Sequence, residues 1–207
     1  MIIPKKAKPK KAKPKIPAII AMPEVIKDFY KISHRKQIGI FLKKHNLNKL
    51  ICEVGVFKGS NLIKLLKTAQ PTLIYGIDNW DNTGISNHHI SSNIDPNEMY
   101  NNLKQIEIDN YNLKIIKGLS VDTAKNFPDR FFDFIYLDAS HDYSSVKNDI
   151  KAYWPKVKIN GILAGHDYSS RKCGLKIAVN EFRDEYNITH FHITSERCPS
   201  WLFIKEN

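Results

Sequence analysis

The chain contains little cysteine, and none of it falls at the spacing of a metal site. The three cysteines, Cys52, Cys173 and Cys198, are odd in number and lie far apart in the sequence. A complete disulfide framework uses an even set, and a structural zinc site uses closely spaced pairs, so neither is indicated. We therefore expect reduced thiols and a cytoplasmic protein.

Long apolar runs are also missing. No stretch approaches the about 20 apolar residues that a membrane-spanning helix requires, and the lysine-rich start is not followed by the apolar core of a signal peptide. We therefore expect no membrane partner. A length of 207 residues suits one well-buried core and is short for two ordinary domains.

Acidic residues are absent from the first 15 positions, which hold seven lysines. Without this segment the net charge falls from +11 to +4, because 25 basic side chains then face 21 acidic ones. Repeated prolines hold the segment extended, so we expect residues 1–15 to form a disordered tail and residues 16–207 to form the domain. The lysines of residues 5–15 could bind RNA or another polyanion non-specifically, direct nuclear or virion association, or have no dedicated partner.

Apolar strands alternate with helical segments along the rest of the chain. This pattern predicts an α/β fold with a doubly wound, mostly parallel seven-stranded sheet, helices on both faces and a terminal antiparallel hairpin. Helical spacing of apolar residues between about 23 and 46 predicts a helical cover before the sheet. The predicted strands are 50–55, 73–77, 113–117, 132–137, 161–165, 188–194 and 200–205, and the predicted helices are 59–69, 96–109, 120–126, 143–153 and 172–186.

The turn after the first apolar run contains only two glycines, Gly55 and Gly59, and Glu53 lies just before it. A dinucleotide site uses G-x-G-x-x-G, in which the middle glycine lets the backbone approach a pyrophosphate. Phe57 stands near that place, and the Glu53 carboxylate would repel phosphate but attract an ammonium or sulfonium group. Asp78 ends the second strand, where an acid can bind ribose hydroxyls. The turn therefore favours S-adenosylmethionine over NAD.

With its E-x-G-x-x-x-G turn, its acid-ended second strand and its later strands ending in Asp138 and Asp167, the chain resembles the class I S-adenosylmethionine-dependent methyltransferases over residues 48–204. It looks most like the branch of metal-dependent macrolide-sugar O-methyltransferases, which includes macrocin O-methyltransferase. The resemblance implies a cofactor site formed by Glu53, Gly55, Gly59, Asp78, Ser120, Val121 and Asp138. In this set Glu53 and Gly55 meet the methionine end, Asp78 the ribose, and Ser120 with Val121 the adenine edge.

The resemblance also implies catalytic groups. Asp138 and Asp167 should end neighbouring parallel strands, where two carboxylates suit Mg²⁺, and His141 is expected to be the general base. His166 stands where the resembled branch has an acid. As a metal ligand, an imidazole favours Mn²⁺, Fe²⁺ or Zn²⁺ over Mg²⁺. Alternatively, His166 is a buried imidazole that bonds across the strand ends, and the site holds no metal.

Three functions are compatible with these residues. The first is metal-assisted O-methylation of a small hydroxylated molecule, for example a sugar. The second is methylation of RNA or another polyanion, with the lysine tail as a tether. The third is a non-catalytic binding or structural protein that keeps the fold.

Residues 79–95 form a polar loop, predicted to contact substrate or cofactor, at the ligand-binding end of the sheet.

Overall fold

A computed structural model describes residues 23–81, 95–169, 171 and 173–206 of the chain. The predicted tail, residues 1–15, and most of the predicted binding loop after Asp78 lie outside these residues. Within the described residues, none of the helices has the length and hydropathy to cross a membrane.

The order of elements follows the predicted alternation. The helices are α1 (Glu24–Phe29), α2 (Ile38–Lys44), α3 (Ser60–Ala69), α4 (Pro96–Asp109), α5 (Ser120–Ala124), α6 (Tyr143–Tyr153) and α7 (Cys173–Glu185). The strands are β1 (Leu50–Val54), β2 (Leu73–Asp78), β3 (Leu113–Lys117), β4 (Phe132–Leu137), β5 (Val157–Gly165), β6 (Phe191–Ile193) and β7 (Trp201–Ile204). Two short 3₁₀ helices, Arg35–Gln37 and Trp154–Lys156, precede α2 and β5.

The strands form one sheet in the order β3-β2-β1-β4-β5-β7-β6. The first five strands in this order are parallel, and β7 runs antiparallel to both β5 and β6. The predicted fold class is therefore confirmed, including the terminal antiparallel hairpin. The order reverses between β1 and β4, which is the point where open α/β sheets bind their ligands.

The strands differ from the prediction at the fifth strand and at the hairpin. β5 starts at Val157, four residues before the predicted start, and its pairing with β4 shifts register between Phe132 and Phe134. Polar residues and the left-handed Asn160 (φ 62°) interrupt the apolar pattern there, so periodicity alone finds only the second half of the strand. The hairpin strands are shorter than predicted, at Phe191–Ile193 and Trp201–Ile204.

Each face of the sheet has its own apolar core. One core lies under α1 to α4 and includes the fully buried Phe29, Leu42 and Phe134. The other lies under α6 and α7 and includes Ile150 and Phe182. Alternate residues of the buried strands contribute to the two cores, as parallel sheets covered on both faces require.

The cover of α1 and α2 packs tightly on the first core. Gly39 of α2 contacts α3 so closely that a Cβ there would lie 2.0 Å from Thr68 Oγ1. On its other side, the cover contacts the hairpin, where His192 Nε2 lies 2.6 Å from the Ile32 carbonyl oxygen. These contacts hold the segment between α1 and α2 near the carboxyl ends of the strands.

Candidate functional site

The ladder of hydrogen bonds continues one residue beyond the strands at the carboxyl edge. The amides of Gly55, Asp138 and His166 donate to the strand-end carbonyls of Ile77, Val54 and Leu137, over 2.8, 2.7 and 3.1 Å. Gly55, Asp138 and His166 therefore lie side by side. Because residues two apart in a strand share a face, they lie on the same face as the register partners Glu53 and Tyr136.

The first turn requires glycine at two positions. Gly55 has φ 87°, and a Cβ there would lie 2.3 Å from the Asp138 carbonyl carbon and oxygen. Gly59 caps α3 with φ 80°, and a Cβ there would lie 2.4 Å from Leu103 Cδ2. The turn thus lies directly against the end of β4. A residue with a Cβ at either position would be strained, because φ is positive there, and would also overlap its neighbours.

Asp78 connects this turn to the end of β2. Its Oδ2 accepts the Phe57 amide at 2.8 Å, and its Oδ1 accepts the Trp80 amide at 3.0 Å. The Trp80 indole in turn donates to the Phe57 carbonyl oxygen at 3.0 Å, and its ring packs on Tyr100. A carboxylate offers about four acceptor positions, so these bonds leave capacity for ribose hydroxyls. Trp80 is an anchor of the core here, with 4% of its surface exposed.

Glu53 is buried beneath the turn, with 2% of its surface exposed. Its Oε1 accepts from the Asn61 amide at 3.2 Å, whereas its Oε2 has no hydrogen-bond partner among the described residues. Burial, followed by the nearby Asp138 charge, raises the pKa of Glu53 well above its usual value. A buried polar atom without a partner is costly, so a ligand that supplies a donor or a positive charge is favoured at this place.

Ser120 and Val121 begin α5 after β3. The Ser120 hydroxyl donates to Asp149 Oδ1 at 2.5 Å, and its carbonyl oxygen accepts from the Tyr153 hydroxyl at 2.9 Å. Val121 is 37% exposed. Burial raises the pKa of Asp149 to about 6, against the opposing effect of the Ser120 hydrogen bond. Asp149 therefore positions the turn that the sequence assigns to the adenine edge.

Sequence reasoning missed Asp149, although α6 carries a signal for it. The residue lies on the same helical face as Val146, Ile150 and Tyr153, all of which are buried. An acid on the apolar face of a helix indicates a buried partner, because an unpaired buried carboxylate is costly.

Four titratable side chains meet at the ends of β4 and β5. His141 Nε2 lies 3.0 Å from Asp167 Oδ2 and 3.7 Å from Asp138 Oδ1. His166 Nδ1 lies 3.6 Å from one oxygen of each aspartate. The structure therefore brings together the predicted base and all three predicted metal ligands.

Within this cluster, three of the described side chains form a group that could hold a metal ion. Ligand atoms of Asp138, His141 and Asp167 lie within 4.8 Å of one another. His166 is not a member of that group, although it borders both aspartates. Asp167 leaves β5 with φ 57°, a left-handed conformation that side-chain patterns in the sequence do not reveal. Two carboxylates and an imidazole suit Mn²⁺, Fe²⁺ or Zn²⁺, and the carboxylates also suit Mg²⁺.

A loop between β6 and β7 closes one side of this edge. Glu196 in that loop accepts through Oε1 from the Arg35 amide at 2.8 Å and the Thr194 hydroxyl at 3.0 Å. The neighbouring Ser200 hydroxyl lies 2.9 Å from the Tyr136 hydroxyl oxygen. Sequence reasoning assigned no role to these residues, because contacts across 161 positions, from Arg35 to Glu196, and across 64 positions, from Tyr136 to Ser200, leave no local pattern.

A family model described as a methyltransferase domain matches residues 52–168. No curated protein sequence matches the chain. The O-methyltransferase NovP has a similar structure, with a TM-score of 0.60 and 17% identity over 88% of this chain and 79% of that chain.

Two further structures show the same fold at low identity. A putative caffeoyl-CoA O-methyltransferase from Staphylococcus aureus has a TM-score of 0.60 and 16% identity, over 88% of this chain and 91% of that chain. The SAH-bound methyltransferase PaMTH1 from Podospora anserina has a TM-score of 0.59 and 12% identity, over 90% and 89%.

Proposed function

The chain belongs to the methyltransferase-domain family, and from that premise we propose that it is an S-adenosylmethionine-dependent O-methyltransferase that acts, with metal assistance, on a small hydroxylated acceptor. The observation that carries this proposal is the meeting of Asp138, His141 and Asp167 beside the Glu53–Gly55 turn. One edge of the sheet thus combines a cofactor turn with groups that can activate a hydroxyl.

The turn fits S-adenosylmethionine, which supplies an electrophilic methyl group when bound. The unpartnered Oε2 of Glu53 favours a cationic or hydrogen-bond-donating ligand, and Gly55, which has no side chain, lies directly against the end of β4. Asp78 would accept from the ribose hydroxyls. A similar structure is bound to SAH, the demethylated product of this cofactor.

The cluster at β4 and β5 fits a divalent cation held by Asp138 and Asp167, with His166 beside them. When bound, such a cation supplies charge that lowers the pKa of an acceptor hydroxyl. The protein's own contribution is to fix both carboxylates at neighbouring strand ends. Carboxylates fixed in this way would orient the acceptor hydroxyl towards the methyl group, and such orientation is a large part of catalysis for a displacement reaction.

His141 would take the proton from the acceptor hydroxyl at Nε2. Asp167 Oδ2, 3.0 Å from that nitrogen, would stabilise the imidazolium that forms. A positioned general base contributes about 10² to 10⁴ in rate. The same nitrogen belongs to the group of candidate ligand atoms, so the competing assignment makes His141 a third metal ligand.

The metal affinity of two histidine variants separates these assignments. If His141 is the base, His141→Ala should lose turnover and bind Mn²⁺ as tightly as the wild type. If His141 is a ligand, the same variant should bind Mn²⁺ more weakly. His166→Ala serves as the matched comparison, since His166 borders the same aspartates.

The acceptor proposal is tested by a screen of hydroxylated compounds, sugars included, for transfer of a radiolabelled methyl group. Activity should disappear in excess chelator, return with Mg²⁺ or Mn²⁺, and fall in Asp138→Asn and Asp167→Asn. His190→Ala, on the far side of the hairpin, serves as the control variant. Full activity in excess chelator would refute metal assistance.

If the acceptor is instead a polyanion, the assay should yield methylated RNA, and this methylation should be lost when residues 1–15 are deleted.

A further inference from the structure

Arg35 lies at the start of the 3₁₀ helix between α1 and α2. Its amide donates to Glu196 Oε1 at 2.8 Å, and the same oxygen lies 3.4 Å from the Ser200 hydroxyl. Ser200 in turn lies 2.9 Å from the hydroxyl of Tyr136. Three successive polar contacts therefore connect the Arg35 backbone to the middle of the sheet edge.

Tyr136 is the register partner of Glu53 on the neighbouring strand. Adjacent strands are about 4.8 Å apart, so the long Arg35 side chain can reach the space above both residues. The effect of the Arg35 charge on these two residues agrees with such a position of the side chain. The guanidinium opposes the burial-driven rise in the pKa of Glu53 and of Tyr136.

The Arg35 guanidinium is half-buried and makes no hydrogen bond or ion pair with any residue in the described part of the chain. Five fixed donors in a planar fork suit a carboxylate, which can accept two parallel bonds. Acidic groups dominate the rest of this edge, namely Glu53, Asp78, Asp138 and Asp167. A ligand that brings a carboxylate to this edge therefore needs a nearby cation.

The amino-acid end of S-adenosylmethionine carries both an ammonium group and a carboxylate. Glu53 and the turn suit the ammonium group, but they offer the carboxylate no positively charged partner. We propose that Arg35 binds the α-carboxylate of the cofactor, so that the cover before the sheet completes the methionine subsite. This inference rests on the proposed use of S-adenosylmethionine.

The test compares two ligands on the full-length protein by calorimetry. SAH carries the carboxylate, and its analogue S-adenosyl-3-thiopropylamine lacks the carboxylate but keeps the ammonium group. Wild-type protein should prefer SAH by about 10- to 100-fold, the range for a charge-assisted hydrogen bond. Arg35→Ala should lose that preference by weakening SAH alone. Arg35→Lys should retain part of it, because lysine keeps the charge but not the fork.

Two controls make the result decisive. Lys36→Ala removes a neighbouring exposed cation and should keep the preference for SAH. The Arg35 variants should melt at the wild-type temperature, because the bond to Glu196 uses the backbone amide. A preference for SAH that survives Arg35→Ala would overturn the inference, as would an equal loss for both ligands. If the wild type binds neither ligand, the proposed function itself fails.

Discussion

The buried carboxyl of Asp149 makes the stability of the folded protein depend on pH, and the direction of this dependence follows from its raised pKa. The carboxyl is buried in α6, where burial raises its pKa from 3.8 to about 6. The folded protein therefore holds this proton more tightly than the unfolded chain does. The resulting stabilisation is complete below pH 3.8 and is lost as the pH rises through about 6.

The size of this effect follows from the shift. A difference of about two pKa units corresponds to about 3 kcal/mol of unfolding free energy, at about 1.4 kcal/mol per unit. Asp149→Asn removes the ionisable group and keeps an oxygen for the Ser120 hydroxyl. At pH 8 the variant should therefore be more stable than the wild type, by up to about 3 kcal/mol, and the difference should shrink towards pH 4.

Urea unfolding of both proteins between pH 4 and 8 measures this difference. Asp142→Asn is the matched control on the same helix, because hydrogen bonds from Ser145 and Ser144 lower the pKa of Asp142 to about 2. That variant should gain no stability at pH 8. If Asp149→Asn destabilises the protein at pH 8 or leaves the pH dependence unchanged, folding does not raise the pKa of Asp149 and the reasoning is wrong.

Two further predictions concern the cofactor turn. Asp78→Ala should weaken SAH binding by about 1 to 3 kcal/mol, the scale for losing a hydrogen bond to a charged group, and should also lower the melting temperature, because Asp78 accepts two backbone amides. An unchanged dissociation constant with a lowered melting temperature would make Asp78 a turn residue only. Gly55→Ala should destabilise the fold by about 2 to 5 kcal/mol through strain and overpacking, as seen by urea unfolding, whereas a near-neutral Gly55→Ala would contradict the close contact with Asp138.

Local patterns in the sequence were sufficient to predict the sheet. The buried strands are apolar along most of their length, and Asp78 and Asp138 mark strand ends that the structure places at one edge. Five successive β-α units strongly indicate a parallel sheet, because neighbouring parallel strands are joined by crossover connections that are usually helices. The same reasoning missed the start of β5, where polar residues and a left-handed Asn160 break the pattern.

The details of the site depend on contacts that are distant in sequence. The sequence names His166 with the two aspartates as metal ligands, and the structure also brings ligand atoms of His141 within 4.8 Å of the same aspartates, a contact that no local pattern encodes. The contact between Arg35 and Glu196 spans 161 positions and joins the short 3₁₀ helix before α2 to the loop between β6 and β7. Such contacts arise from the packing of the cover on the hairpin, for which periodicity offers no signal.

The central claim is that the turn after β1 binds S-adenosylmethionine and not a dinucleotide. Calorimetric titration of the purified protein with S-adenosylmethionine, SAH and NAD tests it most directly. We predict saturable binding of S-adenosylmethionine and SAH, with no heat from NAD, because Phe57 crowds a pyrophosphate and Glu53 offers it no positive charge. Tight binding of NAD with no response to S-adenosylmethionine or SAH would contradict the account.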